Sequence, residues 1–159
     1  MSKLSHVDQS GNPKMVDVSE KKITRRTARA QASVFLGKSI IREIKNNELI
    51  TKKGPVFQTA IIAGVMGAKD TSSFIPFCHP LGLEDCQVTI SVKKEKIIID
   101  SYAVLNGKTG VEMEALTAAS VAALTVYDMC KALSHDIIIE EIKLMEKTGG
   151  KRDFKRKLK

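Results

Sequence analysis

Four polar clusters in this 159-residue chain have residue types and spacings suited to chemistry. Lys52-Lys53 precedes Gly54-Pro55, and a lysine on such a rigid turn can exchange protons once burial or a neighbouring cation lowers its pKa. Phe77-Cys78-His79 lies between Pro76 and Pro80, so a thiol and an imidazole sit on backbone with little freedom. Gly107-Lys108-Thr109-Gly110 leads into Val111-Glu112-Met113-Glu114, a glycine-flanked helix start with N–H groups free for an anion. It is not the nucleotide phosphate loop, because the glycine required five residues before the Gly-Lys pair is Tyr102. Asp128 and Lys131 are three apart and share a helix face, and Lys147 and Lys151 flank Gly149-Gly150. Taken singly, each cluster also fits an ordinary solvated loop, turn or surface ion pair.

Spacing limits how these groups combine. Glu112 and Glu114 are about 200° apart around a helix and would point to different sides unless the helix begins between them. Glu114 and Asp128 are fourteen residues apart, roughly 21 Å along a helix at 1.5 Å per residue. One small-molecule site cannot touch both ends within one chain. A shared site requires the start of one helix to meet the end of another at an oligomer interface.

The elements that position these groups follow from hydrophobic periodicity. Thr27 to Phe35 alternates, with Ala28, Ala30, Ala32 and Val34 on one face, and predicts a half-buried strand. Ser39 is placed to cap a short helix carrying Ile40, Ile41 and Ile44. Val56 to Ala68 predicts a closely packed helix with Ala60, Ala63, Gly64 and Gly67. Val88, Ile90 and Val92, a turn over Lys93 to Lys96, and Ile97-Ile98-Ile99 predict a hairpin. A long helix is expected from about Val111 to Leu133, and a last strand from Ile137 to about Met145. The order strand, helix, helix, hairpin, helix, strand points to an α+β sandwich of ferredoxin-like type, an antiparallel sheet packed against helices. The expected organisation is an N-terminal arm over 1–14, one α+β domain over 15–151 and a basic tail over 152–159.

Composition narrows the classes further. Aromatic residues are 4% with no Trp, so the core must be aliphatic and single-stranded nucleic acid lacks its usual stacking partners. The net charge is +8, and +5 of it sits in residues 151–159, where six basic residues accompany one acid. No segment has signal-peptide layout or the length to span a bilayer. The three cysteines, Cys78, Cys86 and Cys130, show no paired spacing, which suggests reduced thiols in a cytoplasmic protein and argues against a zinc site.

FIPFCHPL (74–81), LNGKTGVEMEALTAASVAALTVYDMCKAL (105–133) and KTGGK (147–151) closely resemble the MoaC family of cyclic pyranopterin monophosphate synthases in molybdenum cofactor biosynthesis. MVDVSEK (15–21) and KKGPVFQTAIIAG (52–64) resemble it too, so the likeness runs from about Met15 to Phe154. The resemblance implies a ferredoxin-like fold and a hexamer of three dimers with sites at the dimer interface. It also implies a small-molecule substrate, a cyclised dihydro-GTP, rearranged to a cyclic pyranopterin with release of pyrophosphate. By the same resemblance Lys53 is a general acid/base, Asp128 the active-site acid and Lys131 its partner in proton transfer. Phe77, Cys78 and His79 form one substrate-contacting loop, and Met113 with Glu114, beside Glu112, a second. Asp17, Arg26 and Lys147 surround the pocket, the two cations suited to phosphate. Phe77 stands where the family often has Leu. Crowded lysines are expected to depress one another's pKa and supply a neutral base. Nothing in the sequence calls for a redox cofactor or a resident metal, nor for a nucleic-acid or membrane partner; a divalent ion escorting the triphosphate stays open. The competing readings are an RNA-binding ferredoxin-like module and a non-catalytic nucleotide-sensing oligomer. Deleting 152–159 is expected to spare catalysis. Mixing Lys53 and Asp128 variants is expected to restore activity if sites are shared.

Overall fold

A computed structural model describes residues 7, 8 and 10–157; the remainder of the expected arm and the last two residues of the tail lie outside the described residues. The chain runs β1 (Thr24–Phe35), α1 (Gly37–Arg42), β2 (Ile50–Thr51), β3 (Gly54–Pro55), α2 (Val56–Lys69) and α3 (Thr71–Phe74). It continues with β4 (Asp85–Lys93), β5 (Lys96–Gly107), α4 (Glu112–Cys130), β6 (Ile138–Thr148) and β7 (Phe154–Lys155). The main sheet is antiparallel in the order β4-β5-β1-β6-β7, and β2 pairs with β3 separately. Without the short β7 this is the ferredoxin-like order, as expected from the element pattern.

The alternation in β1 works as read. Ala28, Ala30, Ala32 and Val34 are buried, and they face α4, which lies across β1, β5 and β6. The inner face of α4 is almost all alanine, with Ala115, Ala118, Ala119, Ala122 and Ala123 fully buried. Small side chains let the helix sit close to the sheet, and the buried Ser101 hydroxyl bonds the Ala115 carbonyl at 2.7 Å across that contact. Two glycines of α2 allow a similarly close approach to α4. A Cβ on Gly64 would lie 2.9 Å from the Ala118 carbonyl oxygen, and one on Gly67 would lie 2.6 Å from Val121 Cγ2. The helices α2 and α4 therefore pack in close contact.

Several boundaries differ from the periodicity reading. The strand β1 starts at Thr24, because Thr24, Arg25 and Arg26 find partners in Gly107, Asn106 and Leu105. The helix α1 starts at Gly37 rather than after Ser39. Gly37 adopts φ 78, and the N–H groups of Leu36 and Gly37 both bond the Glu95 carbonyl at 3.0 Å. The long helix stops at Cys130, and β6 extends to Thr148, so Lys147 stands on a strand rather than in a loop. Phe154 and Lys155 of the basic tail pair with Lys147 and Glu146 as an edge strand, fastened by Arg156 Nε to the Leu144 carbonyl at 2.8 Å.

Candidate active site

The beginning of α4 meets three other elements at one corner of the sheet. Arg26 comes from β1, Lys147 from the end of β6, and Lys108 to Gly110 from the loop between β5 and α4. They line a cavity of about 820 Å³ together with Lys21, Lys22, Lys151, Arg152 and Glu112. That set holds seven cations against one carboxylate, a composition suited to a polyanion. The carboxylate is already engaged, since Lys147 Nζ lies 2.8 Å from Glu112 Oε1. The turn into this corner requires glycine at 149, which has φ 82; a Cβ there would lie 1.9 Å from the Arg25 carbonyl oxygen. Thr24 Oγ1 donates to the Gly149 carbonyl at 2.8 Å and holds the loop against β1.

A second cavity of about 360 Å³ adjoins the first and shares Lys21, Thr109, Gly110 and Glu112 with it. Its other walls are Val16, Val18, Leu81, Phe77-Cys78-His79, Met113 and Glu114. This cavity is less charged and suits a ring system. His79 Nε2 donates to the Val16 carbonyl at 2.9 Å; a carbonyl only accepts, so Nε2 carries the proton and Nδ1 is the other nitrogen of the ring. Glu114 is 3% exposed. Its burial, reinforced by the charge of Glu112, raises its carboxyl from 4.5 to about 7. It is therefore a carboxylic acid poised to gain or lose a proton near neutrality. Burial, together with the Glu114 charge, raises the Cys78 thiol, so Cys78 lines the site as a thiol and not as a nucleophilic thiolate.

The other end of α4 carries a separate cluster. Lys53, at the tip of the β2–β3 hairpin, places Nζ 2.7 Å from Asp128 Oδ2 and 3.0 Å from the Asp128 carbonyl. Lys131 Nζ lies 2.8 Å from Asp128 Oδ1. The hydrogen bonds from Lys131 and Lys53 lower the Asp128 carboxyl to about 2, and the bond to Asp128 raises the Lys131 ammonium. For Lys131 this reverses the depression expected from crowded lysines, because the Asp128 carboxylate favours its charged form.

The structure thus divides the expected residues. Arg26, Phe77, Cys78, His79, Glu112, Met113, Glu114 and Lys147 converge on the two joined cavities. Lys53, Asp128 and Lys131 converge at the opposite end of α4, and neither cavity includes them. Asp17 belongs to neither group. Its neighbours Val16 and Val18 line the smaller cavity, while its carboxylate accepts the Ser19 N–H at 2.8 Å. Lys21, Lys22, Lys108 and Arg152 join the cationic wall, although the spacing of surface lysines carries no signal for that role. Among the described residues there is no group of three or more His, Cys, Asp or Glu arranged to hold a metal ion. No helix among them is long and apolar enough to cross a membrane.

Residues 15–150 match the sequence profile of the MoaC family. Molybdenum cofactor biosynthesis protein 1 of Drosophila melanogaster is 50% identical over 157 residues, covering 98% of this chain and 27% of that protein. The protein of the same name in Dictyostelium discoideum is 45% identical over 168 residues, covering 94% of this chain and 27% of its own length. The molybdenum cofactor biosynthesis bifunctional protein of Synechocystis sp. is 49% identical over 155 residues, covering 94% and 45%. The chain spans between about a quarter and a half of the length of these relatives.

Proposed function

The chain belongs to the MoaC family, and on that premise we propose that it is a cyclic pyranopterin monophosphate synthase of molybdenum cofactor biosynthesis. It acts as a phosphorus–oxygen lyase, converting a cyclised dihydroguanosine triphosphate to the cyclic pyranopterin monophosphate and pyrophosphate. The observation that carries this reading is the pair of joined cavities at the start of α4. The larger has the cations for a triphosphate, and the smaller has the walls and titratable groups for the purine-derived rings.

The chemistry follows from the residues. A hydroxyl oxygen of the substrate attacks the α-phosphorus and releases its proton to solvent, the bond to the bridging oxygen breaks, and pyrophosphate leaves with the electron pair. Arg26, Lys147 and their basic neighbours neutralise the charge that gathers on the leaving group. Glu114, with a carboxyl near 7, takes up and returns protons during ring rearrangement. Lys53 and Lys131, held by Asp128, supply ammonium donors. Because they lie at the far end of α4, they serve the cavities of a second chain. The working unit is then at least a dimer with sites at its interface, and the full assembly a hexamer of three dimers. The free Cys78, Cys86 and Cys130 suit a reducing cytoplasm.

The test is simultaneous detection of pyrophosphate and of the fluorescent oxidised pterin product after adding the cyclised triphosphate. One pyrophosphate per pterin supports the synthase. Tight substrate binding with neither product would support the nucleotide-sensing oligomer instead.

A further inference from the structure

The first turn of α2 is capped from outside the helix. Its N-cap is Pro55, which makes no side-chain hydrogen bond to the turn. Glu48 supplies the acceptors instead. Its Oε1 accepts the N–H groups of Phe57 at 2.8 Å and of Leu49 at 2.7 Å, and its Oε2 accepts the N–H of Gln58 at 3.0 Å. A carboxylate there satisfies helix donors that have no intrahelical partner and meets the positive end of the dipole.

Glu48 is itself held by a tight turn. Lys45 and Glu48 exchange backbone hydrogen bonds at 2.9 and 3.0 Å. Asn46 and Asn47 between them have φ 51 and 58, the left-handed pair of a type I′ turn. From this anchor the chain leaves through the buried Leu49, whose carbonyl accepts the Val56 N–H at 2.9 Å. Ile50 and Thr51 pair with Pro55 and Gly54, and the Thr51 hydroxyl oxygen accepts the Lys53 N–H at 3.2 Å. The hairpin bearing Lys53 is therefore closed at its base by Glu48. The helix it is closed against, α2, is locked to α4 through Gly64 and Gly67, and α4 carries Asp128.

We infer that Glu48 is a positioning residue for Lys53: its carboxylate ties the hairpin to α2 and so sets where the Lys53 ammonium meets Asp128. This rests on the role proposed for Lys53. Glu48 lines neither cavity, and its link to the site runs through the hairpin that carries Lys53.

The test uses the 159-residue chain carrying Glu48→Ala or Glu48→Gln in the pyrophosphate assay, with folding checked by circular dichroism and urea titration. A misplacement of about 1 Å costs roughly 100-fold in rate. Glu48→Ala should lower kcat roughly 100-fold and Glu48→Gln, which keeps one acceptor, roughly 10-fold, on that same scale. KM should stay within about two-fold, because the substitution leaves the phosphate-facing cations Arg26 and Lys147 untouched. In both variants an NMR titration of Asp128 should move toward the ordinary carboxylate value as Lys53 withdraws. Folded variants with wild-type kcat, or with KM raised as much as kcat falls, overturn the inference. If the wild-type chain releases no pyrophosphate, the synthase reading fails separately. The Asp128 titration then decides, and an unchanged value in Glu48→Ala or Glu48→Gln overturns the anchoring.

Discussion

Glu114 makes the stability of this protein depend on pH in a defined window. Its carboxyl has a folded value of about 7 against an ordinary value of 4.5. The folded state therefore binds this proton more tightly than the unfolded state does. The contribution to stability is complete below about pH 4.5, declines as pH rises, and is lost once pH passes about 7. At 1.36 kcal/mol for each pKa unit, the change between pH 5 and pH 8 is about 2–3 kcal/mol. Other shifted groups change elsewhere. The lowered carboxyls Asp8, Asp17, Asp128 and Glu140 lose their contribution only in acid, and the raised thiols Cys78, Cys86 and Cys130 titrate above 9. Glu114→Gln keeps the shape and removes the titration. Urea unfolding of both proteins at pH 5 and pH 8, at one fixed protein concentration, measures the effect. With a slope of about 2 kcal/mol per molar urea, the wild-type midpoint should drop by about 1 M relative to the variant between those pH values. Identical pH dependence in the two proteins would refute the assignment of a raised carboxyl to Glu114.

Further predictions concern the packing and the two ends of α4. Gly67→Ala should destabilise the fold by about 1–3 kcal/mol in a urea titration, because the added methyl meets Val121. Lys53→Ala should abolish pyrophosphate release while leaving the circular dichroism spectrum unchanged, since its side chain is exposed on a hairpin turn. Deleting residues 152–159 should raise the substrate KM by roughly 5-fold at low salt, and less at high salt, as expected for loss of an exposed cation. That departs from the neutral deletion expected from the sequence, because Arg152 lines the cationic cavity and β7 covers the edge of β6 beside it.

Much of this arrangement is legible in the residue pattern. Period-two alternation marked the buried face of β1, and the length of the α4 segment already required its two polar ends to lie far apart. The type and spacing of Phe77-Cys78-His79 and of Glu112 to Glu114 singled out the loops that line the smaller cavity. What escaped depends on partners distant in sequence. Glu48 caps a helix that starts eight residues later, so no local capping pattern announces it. The raised carboxyl of Glu114 comes from burial that only tertiary packing creates. The direction of the Lys131 shift follows from Asp128 lying between the two ammonium groups, which a count of lysines does not reveal.

The most direct test of a site shared between chains is complementation. Lys53 and Asp128 occupy the same cluster of one chain, so mixing variants at those two positions leaves no intact site, contrary to what the sequence suggested. The informative pair takes one residue from each end of α4, Lys53→Ala with Arg26→Ala. After subunit exchange is verified, half of the dimers contain both variants and each of these keeps one intact site of two. Pyrophosphate release should recover to about a quarter of the wild-type rate, as two-fold symmetry dictates. No recovery in verified mixed dimers would contradict a site built from two chains.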